Sequence, residues 1–205
     1  MAQRPTKVVF DIGHVLIEWD PRHLYREIFG GDEDLMDDFL ANVCTPEWNR
    51  EQDRGRSWEE ATAILIRQHP DCAELIRLYD ECWEQMVPDA VAGTPEILQE
   101  LQARGVKTYG LTNFSESKLT LTHKRFDFLN HFDGLVISGV ERLVKPDPAI
   151  YQILLNRYDL DPADLFFVDD TPENVEAART LGMDAHLFTG ADDLRRQLVE
   201  IGLLD

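Results

Sequence analysis

Two short apolar runs, each ending in carboxylates, constrain this chain more than any other feature. Val8-Val9-Phe10 leads directly into Asp11, and about 155 residues further on Leu165-Phe166-Phe167-Val168 leads into Asp169-Asp170. Uninterrupted apolar runs of this length, rich in β-branched and aromatic residues, read as strands covered on both faces, as in parallel sheets. In open α/β sheets, ligands lie beyond the carboxyl ends of the strands. Both acidic sites fall at such ends, where carboxylates can hold a divalent cation beside a phosphate.

Between residues 20 and 88 the pattern changes and no convincing strand is found. Apolar residues recur at helical spacing instead: Leu24, Ile28 and Phe29; Leu35, Phe39, Leu40 and Val43; Trp58, Ala61, Ile64 and Leu65; Leu75, Leu78, Tyr79, Cys82 and Met86. About four helices are expected, separated by Gly30-Gly31, Thr45-Pro46, Gly55-Arg56-Ser57 and His69-Pro70-Asp71. After Pro88, strands and helices alternate. Thr94-Pro95 reads as an N-cap followed by proline at the first helical position, and Gly105 closes that helix. Strands are expected over 106–111, 132–137, 165–168 and 185–188. Helices are expected from Ser115, after Asp147-Pro148 with Asp147 as N-cap, and over 173–181 and 191–201. This alternation predicts an α/β fold: a parallel sheet with helices on both faces, interrupted by an all-helical insertion.

Composition bounds the function. With 205 residues the chain is long enough for one domain or for a core plus a modest insertion, and 43% hydrophobic with 29% charged suits a soluble globular protein. A net charge of −19 disfavours nucleic acid and anionic membranes, and no apolar run is long enough to span a bilayer. The same charge repels a phosphate ester at long range, so any anion site has to be made locally. Cys44, Cys72 and Cys82 show no CxxC spacing and read as packed apolar residues in a reducing compartment. The first seven residues run into a strand without a signal-peptide core, so a cytoplasmic protein is expected.

Four segments, in order, carry a family resemblance: Val9-Phe10-Asp11-Ile12-Gly13; Leu111-Thr112-Asn113; Val144-Lys145-Pro146-Asp147-Pro148; and Phe167-Val168-Asp169-Asp170-Thr171-Pro172-Glu173-Asn174. Together they resemble the haloacid dehalogenase superfamily along essentially the whole chain. The resemblance implies a Rossmann-like three-layer α/β/α core domain over 1–18 and 89–205 and a helical cap domain over 19–88. Most members are Mg²⁺-dependent phosphatases, and a minority are metal-free dehalogenases. On this pattern Asp11 is the nucleophile, forming an aspartyl-phosphate that water hydrolyses. Thr112 and Asn113 are expected to donate to phosphate oxygens, and Lys145 to offset the repulsion between Asp11 and an incoming dianion. Adjacent residues of an extended strand face opposite ways, so one of Asp169 and Asp170 takes the metal and the other supports it or orients the lysine. The resemblance favours Asp170 as ligand, with Asp11 and the Gly13 carbonyl completing the protein's share.

The chain departs from that pattern at one position. Family phosphatases usually carry a second aspartate two residues after the nucleophile, acting as general acid and then base; here the residue is Gly13. A positioned acid–base group contributes about 10²–10⁴-fold. Glucose-1-phosphate phosphatases of the family look similar, with glycine at the same place. His14, with a suitable intrinsic pKa, is the expected substitute, and Asp20 a weaker one. The gap also admits a 2-haloacid dehalogenase or a catalytically weak binding protein, although dehalogenases of the family replace the metal-binding acids that Asp169-Asp170 retains. The main expectation is a Mg²⁺-dependent phosphatase of small phosphorylated metabolites. Substrate selection is expected from residues 47–55, read as a turn between cap helices that faces the site. Trp19-Asp20-Pro21-Arg22 is a candidate hinge.

Overall fold

The computed structural model describes residues 4–205. Five strands form one parallel sheet: β1 (Lys7–Phe10), β2 (Lys107–Thr112), β3 (Gly134–Ile137), β4 (Leu165–Asp169) and β5 (Asp184–Leu187), in the order β3-β2-β1-β4-β5. The chain winds outward from β1 through β2 to β3, then returns to the other side of β1 for β4 and β5. That reversal places a crevice at the carboxyl ends of β1, β2 and β4, where open α/β sheets bind ligands.

Side chains alternate across the strands and divide the core in two. Val8, Phe10, Phe166 and Val168 face one apolar cluster, which also takes in Ile97, Leu98, Leu119, Leu194 and Leu198. These come from helices α6 (Thr94–Ala103), α7 (Glu116–Arg125) and α11 (Ala191–Glu200). Val9, Leu111 and Phe167 face the other, with Ile150, Tyr151 and Leu154 of α9 (Pro148–Arg157) and Val175 and Ala178 of α10 (Pro172–Thr180). The three layers are the α/β/α arrangement expected. At Gly110 on β2 a side chain would require Leu135 to shift, because a Cβ there would lie 2.4 Å from Leu135 Cδ1.

Between β1 and α6 run five helices rather than four: α1 (Arg22–Ile28), α2 (Glu33–Asn42), α3 (Pro46–Asp53), α4 (Trp58–Gln68) and α5 (Ala73–Glu81). The additional one is α3. Thr45-Pro46 is a helix start, not a break: the Thr45 hydroxyl accepts from Trp48 N and proline occupies the first turn. Residues 47–55 are therefore mostly helix, correcting the expected turn. The reverse holds at Thr94, which is the first helical residue after Gly93 and turns its hydroxyl back to the Val91 carbonyl. On α2 the buried stripe begins at Met36 and continues through Phe39, Leu40 and Val43, so Leu35 falls off it and is 57% exposed. The insertion packs into the same apolar cluster as one face of the sheet, with Tyr25, Met36, Trp58, Ile76 and Tyr79 all buried. A short helix, α8 (Ser138–Glu141), follows β3. Among the described residues no helix is long and apolar enough to cross a membrane.

Candidate active site

Asp11 follows β1 directly, its backbone N–H continuing the pairing to the Val168 carbonyl at 2.9 Å. One carboxylate oxygen, Oδ1, is held by the Ile12 N–H at 2.7 Å and by Lys145 Nζ at 2.9 Å. Among the described residues no hydrogen bond reaches Oδ2. One atom of the carboxylate is thus fixed and the other left free.

Lys145 is fully buried. Its ammonium has three N–H groups, and three acceptors take them: Asp11 Oδ1, Asp169 Oδ2 at 2.6 Å and the Leu111 carbonyl at 2.8 Å. No N–H is left over for a direct bond to a substrate. Asn113 secures the backbone of the same residue, its Oδ1 accepting from Lys145 N at 2.8 Å and its Nδ2 donating to Lys145 O at 3.1 Å. Burial works against the lysine's charge, yet Asp11 and Asp169 outweigh it and hold the ammonium above its ordinary range.

Asp169 and Asp170 take different roles. Asp169 is fully buried and saturated: Oδ2 meets Lys145, while Oδ1 accepts from Thr171 N and Asn174 Nδ2, each at 2.9 Å. Asp170 is half-buried and faces the crevice without a side-chain partner among the described residues. Carboxylate oxygens of Asp11, Asp169 and Asp170 all lie within 4.8 Å of one another. Burial drives Asp11 upward, Lys145 pulls it back, and Asp169 and Asp170 push it up again; the net direction is up. Asp170 is raised by burial, with His14 opposing. Three carboxylates against one ammonium leave two negative charges unmatched, so an all-oxygen set of this kind fits a divalent cation such as Mg²⁺.

These groups open into a cavity of about 280 Å³, at the small end of ligand pockets. Asp11, Gly13, Asn113 and Asp170 form its floor, Trp19, Trp58, Trp83 and Phe114 supply aromatic walls, and Asn49 and Asp53 enter from α3. His14 lines it too, solvent-exposed, in the left-handed region at φ 59° and edge-on to Trp19. Asp20 borders only an adjoining recess of about 490 Å³, which shares His14 and Trp19. Thr112 ends β2 fully buried, and among the described residues its Oγ1 has no hydrogen-bond partner.

Residues 47–55 were expected to face the site, and Asn49 and Asp53 of that segment do line the cavity, but no individual role was given to them or to Thr171 and Asn174 from sequence. Asn49 and Asp53 stand four residues apart and so share one face of a helix; reading Thr45-Pro46 as a helix start would have exposed that face. Thr171 and Asn174 sit in the fourth motif, but their grip on Asp169 is a tertiary contact.

A parallel sheet with acids at adjacent strand tips and a buried lysine between them defines the haloacid dehalogenase-like class. The family model for haloacid dehalogenase-like hydrolases matches residues 7–182. The chain belongs to that family and is a hydrolase of it. A sesquiterpene phosphatase, astK of Aspergillus oryzae, is 30% identical over 183 residues, 85% of each chain. A HAD-family enzyme of Bacteroides thetaiotaomicron superposes with a TM-score of 0.74 at 19% identity, covering 95% of this chain and 98% of its own. Its complex with magnesium and inorganic phosphate gives 0.71 at 20% identity over 94% and 98%. An L-2-haloacid dehalogenase of Xanthobacter autotrophicus, with chloropropionic acid covalently bound, gives 0.61 at 16% identity over 98% and 85%. At these identities the superpositions speak to the fold alone.

Proposed function

We propose that this hydrolase is a Mg²⁺-dependent phosphatase of small phosphorylated metabolites such as sugar phosphates, acting through an aspartyl-phosphate on Asp11. The observation that carries this reading is the asymmetric Asp11 carboxylate, with Oδ1 tied to Ile12 N and Lys145 and Oδ2 free beside the cavity. A nucleophile held by one oxygen is oriented without being consumed by its own hydrogen bonds. Asp11, Asp170 and the Gly13 carbonyl would hold the magnesium ion, with Asp169 anchoring Lys145 behind them. When bound, the ion supplies positive charge against the phosphate oxygens and the clustered carboxylates.

Lys145 acts through its charge, since its N–H groups are already taken. Thr112 Oγ1, buried without a partner, is suited to donate to a phosphoryl oxygen. Asn113 holds the lysine in register and keeps one amide hydrogen for the same purpose. The helical insertion, residues 19–88, is read as a cap on a core of residues 1–18 and 89–205. The intact acid pair Asp169-Asp170 argues against a metal-free dehalogenase.

The test is hydrolysis of p-nitrophenyl phosphate with Mg²⁺, expected in the wild type and lost in Asp11→Asn or in excess chelator. Acid-quenched wild type should carry a hydroxylamine-labile acyl-phosphate. Metal-free halide release from 2-chloropropionate would favour the dehalogenase. Inertness towards a broad phosphate panel would favour a binding protein. A second substrate reading has its own observation: the adjoining recess, lined by Leu40, Ala41, Cys44 and Tyr79, extends beyond the small cavity. It would suit a longer apolar leaving group, as the name of the sesquiterpene phosphatase suggests, and rates along a series of alkyl phosphates of increasing length separate the two.

A further inference from the structure

Gly13 leaves the leaving oxygen without a proton donor at the usual position, and nothing within 4 Å of its Cβ direction fills the gap from the same loop. The cavity itself offers few titratable groups. Asp11 and Asp170 belong to the nucleophile and the cation. Asp53 and His14 remain.

We propose that Asp53, carried by α3 of the insertion, is the acid–base residue that position 13 lacks. The assignment rests on the phosphatase reading above. Its geometry is set by three contacts around α3, two to the core and one within the insertion. Arg50 Nη2 donates to the Lys145 carbonyl at 3.0 Å, tying the helix to the residue that orients the nucleophile. Just beyond the helix, Gly55 lies so close to α8 that a Cβ would come within 2.6 Å of the Gly139 carbonyl. On the insertion side, the Tyr79 hydroxyl donates to Asn49 Oδ1 at 3.4 Å, and Asn49 Nδ2 reaches Asp53 Oδ2 at 3.5 Å. Asp53 is thereby held in the lining of the same cavity as Asp11, Gly13 and Asp170.

Its surroundings also favour the protonated form that an acid must start from. Burial pushes the carboxyl up to about 7, with Arg50 pulling against it. Asp53 ends α3, where unsatisfied carbonyls oppose a negative charge. His14, by contrast, is exposed, and its charge acts on Asp170, on the cation side of the cavity.

The two half-reactions balance. Asp11 bonds to phosphorus as the ester P–O bond breaks; that electron pair goes to the leaving oxygen, which takes the Asp53 proton. Asp53, now a carboxylate, takes a proton from water as the water oxygen bonds to phosphorus. The P–O bond to Asp11 breaks, its electron pair returns to Asp11, and inorganic phosphate departs with Asp53 protonated again.

The test compares kcat/KM for p-nitrophenyl phosphate, whose leaving group needs no proton, with that for a simple alkyl phosphate, whose leaving group does. Asp53→Asn should lose about 10²-fold or more on the alkyl ester and less than tenfold on the aryl ester. It should also release a burst of one nitrophenolate per chain before slow turnover, which certifies a folded, attack-competent protein. Asp53→Glu should recover part of the alkyl activity. Equal losses on both esters, no loss on either, or a missing burst overturns the assignment, as does leaving-group-dependent loss in His14→Ala with Asp53→Asn unaffected. A wild type inert towards all phosphate esters overturns the phosphatase reading along with it.

Discussion

Lys145 and Asp169 form an ion pair 2.6 Å long in which neither side chain is exposed to solvent. Two charges removed from water need compensation, and here the ammonium also meets Asp11 and Leu111 O while the carboxylate also accepts from Thr171 N and Asn174. Breaking such a pair leaves an uncompensated buried charge, at a cost of about 3–5 kcal/mol. Lys145→Met should therefore lower Tm by about 10 °C, measured by thermal denaturation at neutral pH. A variant as stable as wild type would mean that Asp169 or Asp11 is not buried as an anion. Adding Mg²⁺ should recover part of the loss, because the ion can replace the ammonium as counter-charge.

The carboxylate cluster makes a second prediction that needs no substrate. A ligand that binds only the folded chain stabilises it, by about 2.7 kcal/mol at a hundred times its Kd. Mg²⁺ should raise the wild-type Tm, and Asp170→Asn should abolish most of that shift while leaving the metal-free Tm equal or higher. Among the described residues Asp170 makes no side-chain hydrogen bond that would be lost, and its removal relieves Asp11 of a neighbouring like charge. An undiminished Mg²⁺ shift in Asp170→Asn would move the ion's site elsewhere.

Gly55 sits at φ 91°, a left-handed conformation that side-chain-bearing residues rarely adopt, with the Gly139 carbonyl where a Cβ would go. Gly55→Ala meets both the conformational cost and the clash, which together amount to about 1–3 kcal/mol. Relief comes by lifting the end of α3 from α8. The expected outcome is a lower Tm with kcat/KM reduced several-fold or more. Full activity in Gly55→Ala would show that the seating of α3 does not matter to the reaction.

How much of this was legible beforehand follows from what each residue does locally. β1 and β4 could be read because residues 8–10 and 165–168 are buried on two faces and so form uninterrupted apolar runs. Asp11, Lys145 and the Asp169-Asp170 pair were legible because they stand at strand tips or in short motifs. The division of labour within the pair was not: it depends on Thr171 N and Asn174 reaching one carboxylate, a matter of loop path. Asp53 fell within a segment expected to face the site but was not singled out, because α3 has few apolar residues, so periodicity marks it poorly and its start at Thr45-Pro46 looks like a break. Leu35 was counted into a buried stripe that in fact begins one residue later.

The raised carboxyl of Asp53 carries a stability signature separable from catalysis. In the folded chain burial pushes it up to about 7, from the ordinary carboxylate value of 3.8. Between those values the folded state holds a proton that the unfolded state has released. Stability therefore falls as pH rises through that window and levels off above it. The groups beside Asp53 are Arg50 on its own helix and Asn49 and Tyr79 within the insertion, while Asp11, His14 and Asp170 line the same cavity. Arg50 and the Asn49 amide favour the ionised form, and burial outweighs them. Asp53→Asn removes the titration while keeping size and hydrogen-bonding capacity. Its Tm should match wild type near pH 4 and exceed it at pH 8, each kcal/mol of difference appearing as about 2–4 °C in a chain of this length. A difference that is constant across pH 4–8 would place the Asp53 carboxyl in water-like surroundings and remove the physical basis for its holding a proton at neutral pH. A gain in stability at pH 8 alongside selective loss of alkyl phosphate hydrolysis would identify the buried acid as a cost to the fold that the reaction requires.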